Sequence, residues 1–141
     1  PILGGDTLDS NMVLEAAAGS DVQLYVSTFY QEGGSPEFDE GFKAWLSEDS
    51  TAMTNNGGND TIAAVTAMGY DAYYVALEAL KAAGSTDKAA VKAALPDVTY
   101  TGVSGSIAFD EQGDAIRDTA YIKTADTANN AWTLETVQTV E

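Results

Sequence analysis

The proline at position 96 marks the change that most constrains this chain. Before it, short strand-like runs alternate with stretches of helical period; after it, the pattern is almost entirely β. Ile2 and Leu3 make a short apolar strand that stops at Gly4-Gly5, where the backbone can turn sharply. Asp9 or Ser10 can cap a helix carrying Met12, Val13, Ala16 and Ala17 at helical spacing, with Gly19 as its stop. Residues 22 to 29 then read as a strand, with Val22, Leu24 and Val26 on one face. The chain opens as a βα unit followed by a second strand.

After the turn-rich "QEGGS", Ser35 as N-cap and Pro36 at the first helical position predict a helix. Glu37, Asp39 and Glu40 complement its dipole, and its apolar face is Phe38, Phe42, Trp45 and Leu46. Residues 47 to 59 have loop composition. A long helix is expected from about Thr61 to Ala83, capped by Asp60 or Thr61 and ended by Gly84. Tyr70, Tyr73, Tyr74, Leu77 and Leu80 form its stripe, with Tyr73, Tyr74 and Leu77 expected in the core; Gly69 argues against one straight helix. Thr86 can cap a further helix that Pro96 stops. Beyond it, "VTYTGVSGSIAF", "TAYIKTA" and "WTLETVQTV" read as strands separated by the turns "DEQGD" and "DTANN".

Composition limits the chemistry. The 141 residues, 45% of them hydrophobic, can bury the core of one ordinary domain. There are 22 acidic against 6 basic residues, a net charge of −16, which disfavours nucleic-acid binding and adsorption to anionic membranes. With no cysteine and no histidine, the chain has no disulfide, no thiolate or imidazole metal site and no Ser-His-Asp or Cys-His arrangement. No apolar run approaches the roughly 20 residues that span a bilayer. "DEQGD" lacks the twelve-residue calcium-loop pattern, and "GVSGS" lacks the lysine and helix of a phosphate-binding loop, so neither a metal nor a cofactor is expected.

In order and spacing, "ILGGDTLDS", "GFKAWL", "MGYDAYYVALEALKAAGS" and "YTGVSGSIAFDEQGDAIRDTAYIKT" together resemble the C-terminal part of the type I solute-binding proteins of amino-acid ABC transporters, of the branched-chain (leucine-isoleucine-valine) type. The resemblance implies an α/β fold that is the C-terminal portion of two Rossmann-like lobes, ending in hairpin-like strands. It also implies a chain that represents only part of a longer protein. Residues 1–29 are then expected to belong to the C-terminal lobe, residues 30–117 to pack on the N-terminal lobe, and residues 118–141 to form the return crossing and terminal strands. The function it implies is extracytoplasmic capture of an amino acid or similar small molecule by hinge closure, in the periplasm or lipid-anchored at the cell surface, and delivery to an ABC permease. A ligand-sensing regulatory domain of the same fold is the first alternative and a carboxylate-dependent enzyme the second.

Asp6 follows a strand and a Gly-Gly turn, where α/β folds place ligands, and could equally cap the next helix. The resemblance assigns it to the ligand's α-ammonium group, a role suited to a charge-assisted hydrogen bond. Thr7 can donate beside it or serve the local turn, and Asp9 is expected to be the N-cap. Met68 and Tyr70 match family positions near the interlobe cleft. Trp45 and Trp132 are expected to pack and to need partners for their indole N–H groups. The helical faces that a first lobe would cover lead to the expectation of a homodimer of the isolated segment, formed by exchange of elements.

Overall fold

The computed structural model describes residues 1–139; Val140, placed by the sequence in the last strand, and Glu141 lie outside the described residues. In chain order the elements are β1 (Ile2–Gly4), a 3-10 turn (Asp6–Leu8), α1 (Asn11–Ala17), β2 (Leu24–Thr28), α2 (Pro36–Glu48), α3 (Ser50–Asn55), α4 (Ala64–Ala83) and α5 (Lys88–Ala94). A second 3-10 turn (Leu95–Asp97), β3 (Tyr100–Gly102), β4 (Gly105–Phe109), β5 (Ala115–Ile116), β6 (Thr119–Asp126) and β7 (Ala131–Thr139) follow.

The first strands meet the last. β1 and β2 pair in parallel, Gly4 opposite Val26, as a strand-helix-strand unit requires. β6 then joins β2 antiparallel, Val26 opposite Lys123, and β7 folds back on β6. The sheet order is β1-β2-β6-β7. Leu24, Val26 and Thr28 alternate inward along β2, so the predicted face is the buried one, begun two residues later than expected. A register shift at Ile122/Lys123 gives β7 one extra residue beside Lys123, the kind of irregularity that re-aims a side chain. Trp132 packs back toward α1, its indole donating to the Ser10 carbonyl at 3.4 Å.

Between β2 and β6 the chain makes an excursion of helices and a small β3-β4-β5 sheet. One apolar cluster, Tyr30, Ile62, Ala64 and Ala67 with Phe38, Phe42 and Val103, joins α2 to the start of α4. A second, Val75, Ala79, Val98 and Ile107, seats α4 and α5 on the small sheet.

Several local expectations are corrected. Residues Ser50–Asn55 are helical, because the Asp49 carboxylate accepts from the N–H groups of Thr51 and Ala52 and nucleates a turn in a segment with no apolar period. α4 begins at Ala64, and neither Asp60 nor Thr61 caps it: its N-cap residue, Ala63, has no side-chain acceptor. α4 continues through Gly69 to Gly84, whose left-handed φ of 57° forms the C-cap. Its buried line is Ala64, Ala67, Asp71, Val75 and Ala79, small residues that let the helix approach its neighbours closely. The tyrosines flank that line: Tyr74 and Leu77 are half-buried and Tyr73 is 62% exposed, not core. α5 is capped by Asp87 in place of Thr86, and Pro96 sits inside the second 3-10 turn. Asp39 is buried and does more than complement the dipole of α2, because it accepts from the Tyr30 hydroxyl and the Gly33 N–H, each at 2.6 Å.

Candidate functional site

β1 ends at Gly4, and the chain turns at once into the 3-10 turn that carries Asp6 and Thr7. A Cβ at Gly4 would meet the Leu8 side chain, so a larger residue there requires Leu8 to shift. Asp6 is half-buried and Thr7 exposed. The Asp6 carbonyl accepts from Asp9 N–H, whereas its carboxylate accepts no hydrogen bond among the described residues. Asp6 therefore does not cap α1. Ser10 does, accepting from Val13 N–H at 3.3 Å.

Asp9, expected as that cap, has another place. It is buried, and its Oδ2 accepts from three donors: the Thr28 hydroxyl at 3.0 Å, the Ala64 N–H at 3.1 Å and the Lys123 ammonium at 2.9 Å. Its Oδ1 is buried with no hydrogen-bond partner among the described residues. These contacts join the end of the 3-10 turn after β1, the end of β2, the first residue of α4 and the middle of β6. Of the three partners, local pattern gave no sign of Thr28 or Ala64; the one available clue was Lys123, a lone charge inside the strand run "TAYIKTA".

Met68 and Tyr70 lie two residues apart on α4 and face different grooves. Tyr70 is 43% exposed; with Phe38, Phe42, Trp45 and Val103 it lines an open groove of about 540 Å³. Its ring lies 5.0 Å from Phe38 and 4.9 Å from Tyr74. Trp45, on the rim, is 52% exposed. Met68 is half-buried in an apolar groove of about 360 Å³ with Val75, Leu95, Ile107 and Phe109. The 3-10 turn lies alongside α4, but neither Asp6 nor Thr7 lines either groove. The four residues thus sit on two adjoining elements and do not converge on one cavity.

A second polar network braces the excursion. Buried Asp71 accepts from Val103 N–H at 2.9 Å, Ser104 N–H at 2.8 Å and the Ser104 hydroxyl at 2.5 Å, pinning the β3-β4 turn to α4. Arg117 donates to the Ser104 carbonyl and hydroxyl, and its guanidinium lies 5.7 Å from the ring centre of Phe29. The two strands of chain that leave and re-enter the larger sheet are thereby held side by side. Among the described residues no cluster of three acidic side chains could hold a metal ion.

The site is thus a parallel β1-β2 pair with a half-buried carboxylate just beyond the carboxyl end of β1, and a helical excursion runs between β2 and β6. The sequence profile described as periplasmic binding protein matches residues 2–130, and the chain belongs to that family. Among solved structures it is similar to a leucine-binding protein from Thermotoga maritima, at 29% identity and a TM-score of 0.73, covering 98% of this chain and 37% of that one. Two others share the fold: a solute-binding protein of an ABC transporter from R. palustris in complex with benzoate (14% identity, TM-score 0.68, 99% and 37% covered) and an ABC transporter substrate-binding protein from Desulfitobacterium hafniense in complex with Leu (24% identity, TM-score 0.63, 95% and 35% covered). The chain spans little more than a third of the length of each. Comparison with curated proteins gives no match.

Proposed function

We propose that this chain is the C-terminal part of an extracytoplasmic solute-binding protein that captures an amino acid with an apolar side chain and presents it to an ABC permease. The observation that carries the reading is the Asp6 carboxylate, half-buried at the carboxyl end of β1 and unengaged by any donor among the described residues. Family membership and the likeness to a leucine-binding protein support it. A carboxylate in that position suits an α-ammonium group, since charge-assisted hydrogen bonds are the strong ones. Thr7 stands beside it as a second polar contact, and Tyr70 and Met68 supply apolar surface on the neighbouring helix.

Residues 1–29 and the strands after residue 118 form the body of one lobe in this reading, and residues 30–117 pack on the other. The chain passes between lobes at Phe29 and Arg117, and closure about those crossings shuts the site. Ligand binding favours the closed state by its extra contacts there, and the permease reads that state.

The test uses the two-lobed protein that contains this segment. Calorimetry against the common amino acids should show heat with leucine or a close relative, and Asp6→Ala should weaken it by well over tenfold, as losing one partner of a buried charged hydrogen bond costs roughly 2–5 kcal/mol. The melting temperature of the ligand-free protein should stay the same. Unchanged affinity in Asp6→Ala would make Asp6 a turn residue and remove the reading's main support.

A further inference from the structure

Three donors from three distant parts of the chain converge on one oxygen of Asp9. Thr28 ends β2, Ala64 opens α4, and Lys123 lies opposite Val26 in β6. Asp9 itself directly follows the 3-10 turn that carries Asp6 and Thr7. The group is buried, Asp9 at 3% and Lys123 at 2% exposure, and it is incompletely satisfied because Oδ1 has no partner among the described residues. Such a pair is a poor source of stability: replacing a buried ion pair by apolar groups of similar volume is often neutral or stabilising. What it supplies here is geometry. The N–H of Ala64 lacks any cap from its own segment, so the start of α4 is held by a carboxylate 55 residues earlier. The displaced register of β7 beside Lys123 bends the strand locally at the position whose ammonium reaches that carboxylate.

We propose that Asp9 is a positioning residue, a clamp that fixes the Asp6–Thr7 turn against the first turn of α4 and so sets the distance between the candidate ammonium-binding carboxylate and the helix bearing Met68 and Tyr70. This rests on the binding role proposed above. Asp9 touches no ligand in this account; it acts through Asp6 and through the placement of α4. Its backbone link is direct, since the Asp9 N–H donates to the Asp6 carbonyl at 3.0 Å and closes the turn.

Asp9→Ala alone would leave Lys123 buried without a counter-charge and confuse clamp with fold, so two paired variants of the two-lobed protein are compared. Asp9→Asn with Lys123→Met removes the charges but keeps a side-chain oxygen to accept from Ala64 N–H. Asp9→Leu with Lys123→Met removes charges and acceptor together at similar volume. Titration with leucine and amide hydrogen exchange are measured on both. The clamp predicts that the Asn/Met protein binds within about threefold of the parent, while the Leu/Met protein loses roughly tenfold or more, the scale of loss seen when outer partners of metal ligands are removed. It also predicts faster exchange at Ala64 and Leu8 in the Leu/Met protein alone. Equal affinity and equal exchange in the two variants would overturn it. Should the parent bind no amino acid at all, the binding role fails, and exchange alone decides the clamp: faster at Ala64 and Leu8 in Leu/Met supports it, unchanged overturns it.

Discussion

Burial first, and then the hydrogen bond to the Asp39 carboxylate, raise the Tyr30 hydroxyl well above the ordinary tyrosine range. The folded chain therefore holds this proton at pH values where the unfolded chain, with a tyrosine pKa of about 10, has begun to lose it. Stability from Tyr30 is complete below pH 10 and declines as pH rises toward the folded value. The stability gap between the native chain and Tyr30→Phe, followed by thermal melting, should accordingly be widest near neutrality and narrow above about pH 10; a gap constant with pH would mean that the hydroxyl contributes no proton-linked energy. Legibility differs sharply among such residues. That α1 is capped at Asp9 or Ser10 was legible, because capping needs only the next three residues, but the choice between them fell on Asp9 where the structure uses Ser10. The roles of Asp9 and Asp39 were not legible, since their donors come from Thr28, Ala64 and Lys123 in one case and from Tyr30 and Gly33 in the other, and nothing in a local window distinguishes a carboxylate that caps from one that gathers remote donors. Asp6 was readable only as a carboxylate after a strand and a glycine pair.

At the scale of elements, α4 shows how a stripe can mislead. Five large apolar residues at helical spacing outweigh a line of alanines by hydrophobicity, yet the alanines face inward because the helix packs close, and Gly102 of β3 approaches Asp71 too nearly to bear a side chain. Gly102→Ala should destabilise the chain by about 1–3 kcal/mol, the usual size of an overpacking strain. Gly69→Ala, within α4 and facing open space, should stabilise it by roughly 0.5–1 kcal/mol by restricting the unfolded chain and favouring helix. Urea denaturation of both reads the pair, and a Gly102→Ala protein as stable as its parent would show that Asp71 has freedom to move. The β-rich region after Pro96 and the opening strand-helix-strand unit were legible from period alone. α3 was not, because six residues with Met53 as their one large apolar side chain carry no apolar repeat and owe their helix to Asp49.

For the whole molecule, the outward faces of α2 and α4 bear Trp45, Tyr73 and Val65, all more than half exposed. The isolated 141-residue segment is expected to take up free amino acids weakly or not at all, and to self-associate through these faces. Calorimetry and light scattering over a wide concentration range test both, with submillimolar binding by a monomer as the contrary result. The sheet order carries a further consequence, one of time. β2 cannot acquire its second neighbour until β6 exists, and between them lie some ninety residues of helices and small strands. Closing so long a loop is slow, and contacts of high sequence separation govern rates of this kind. On a ribosome the intervening helices emerge before β6 and can settle through their own near-neighbour contacts, while the free edge of β2 waits for its partner. The newborn chain is thus most vulnerable to misassociation in the interval before Lys123 leaves the exit tunnel and meets Asp9.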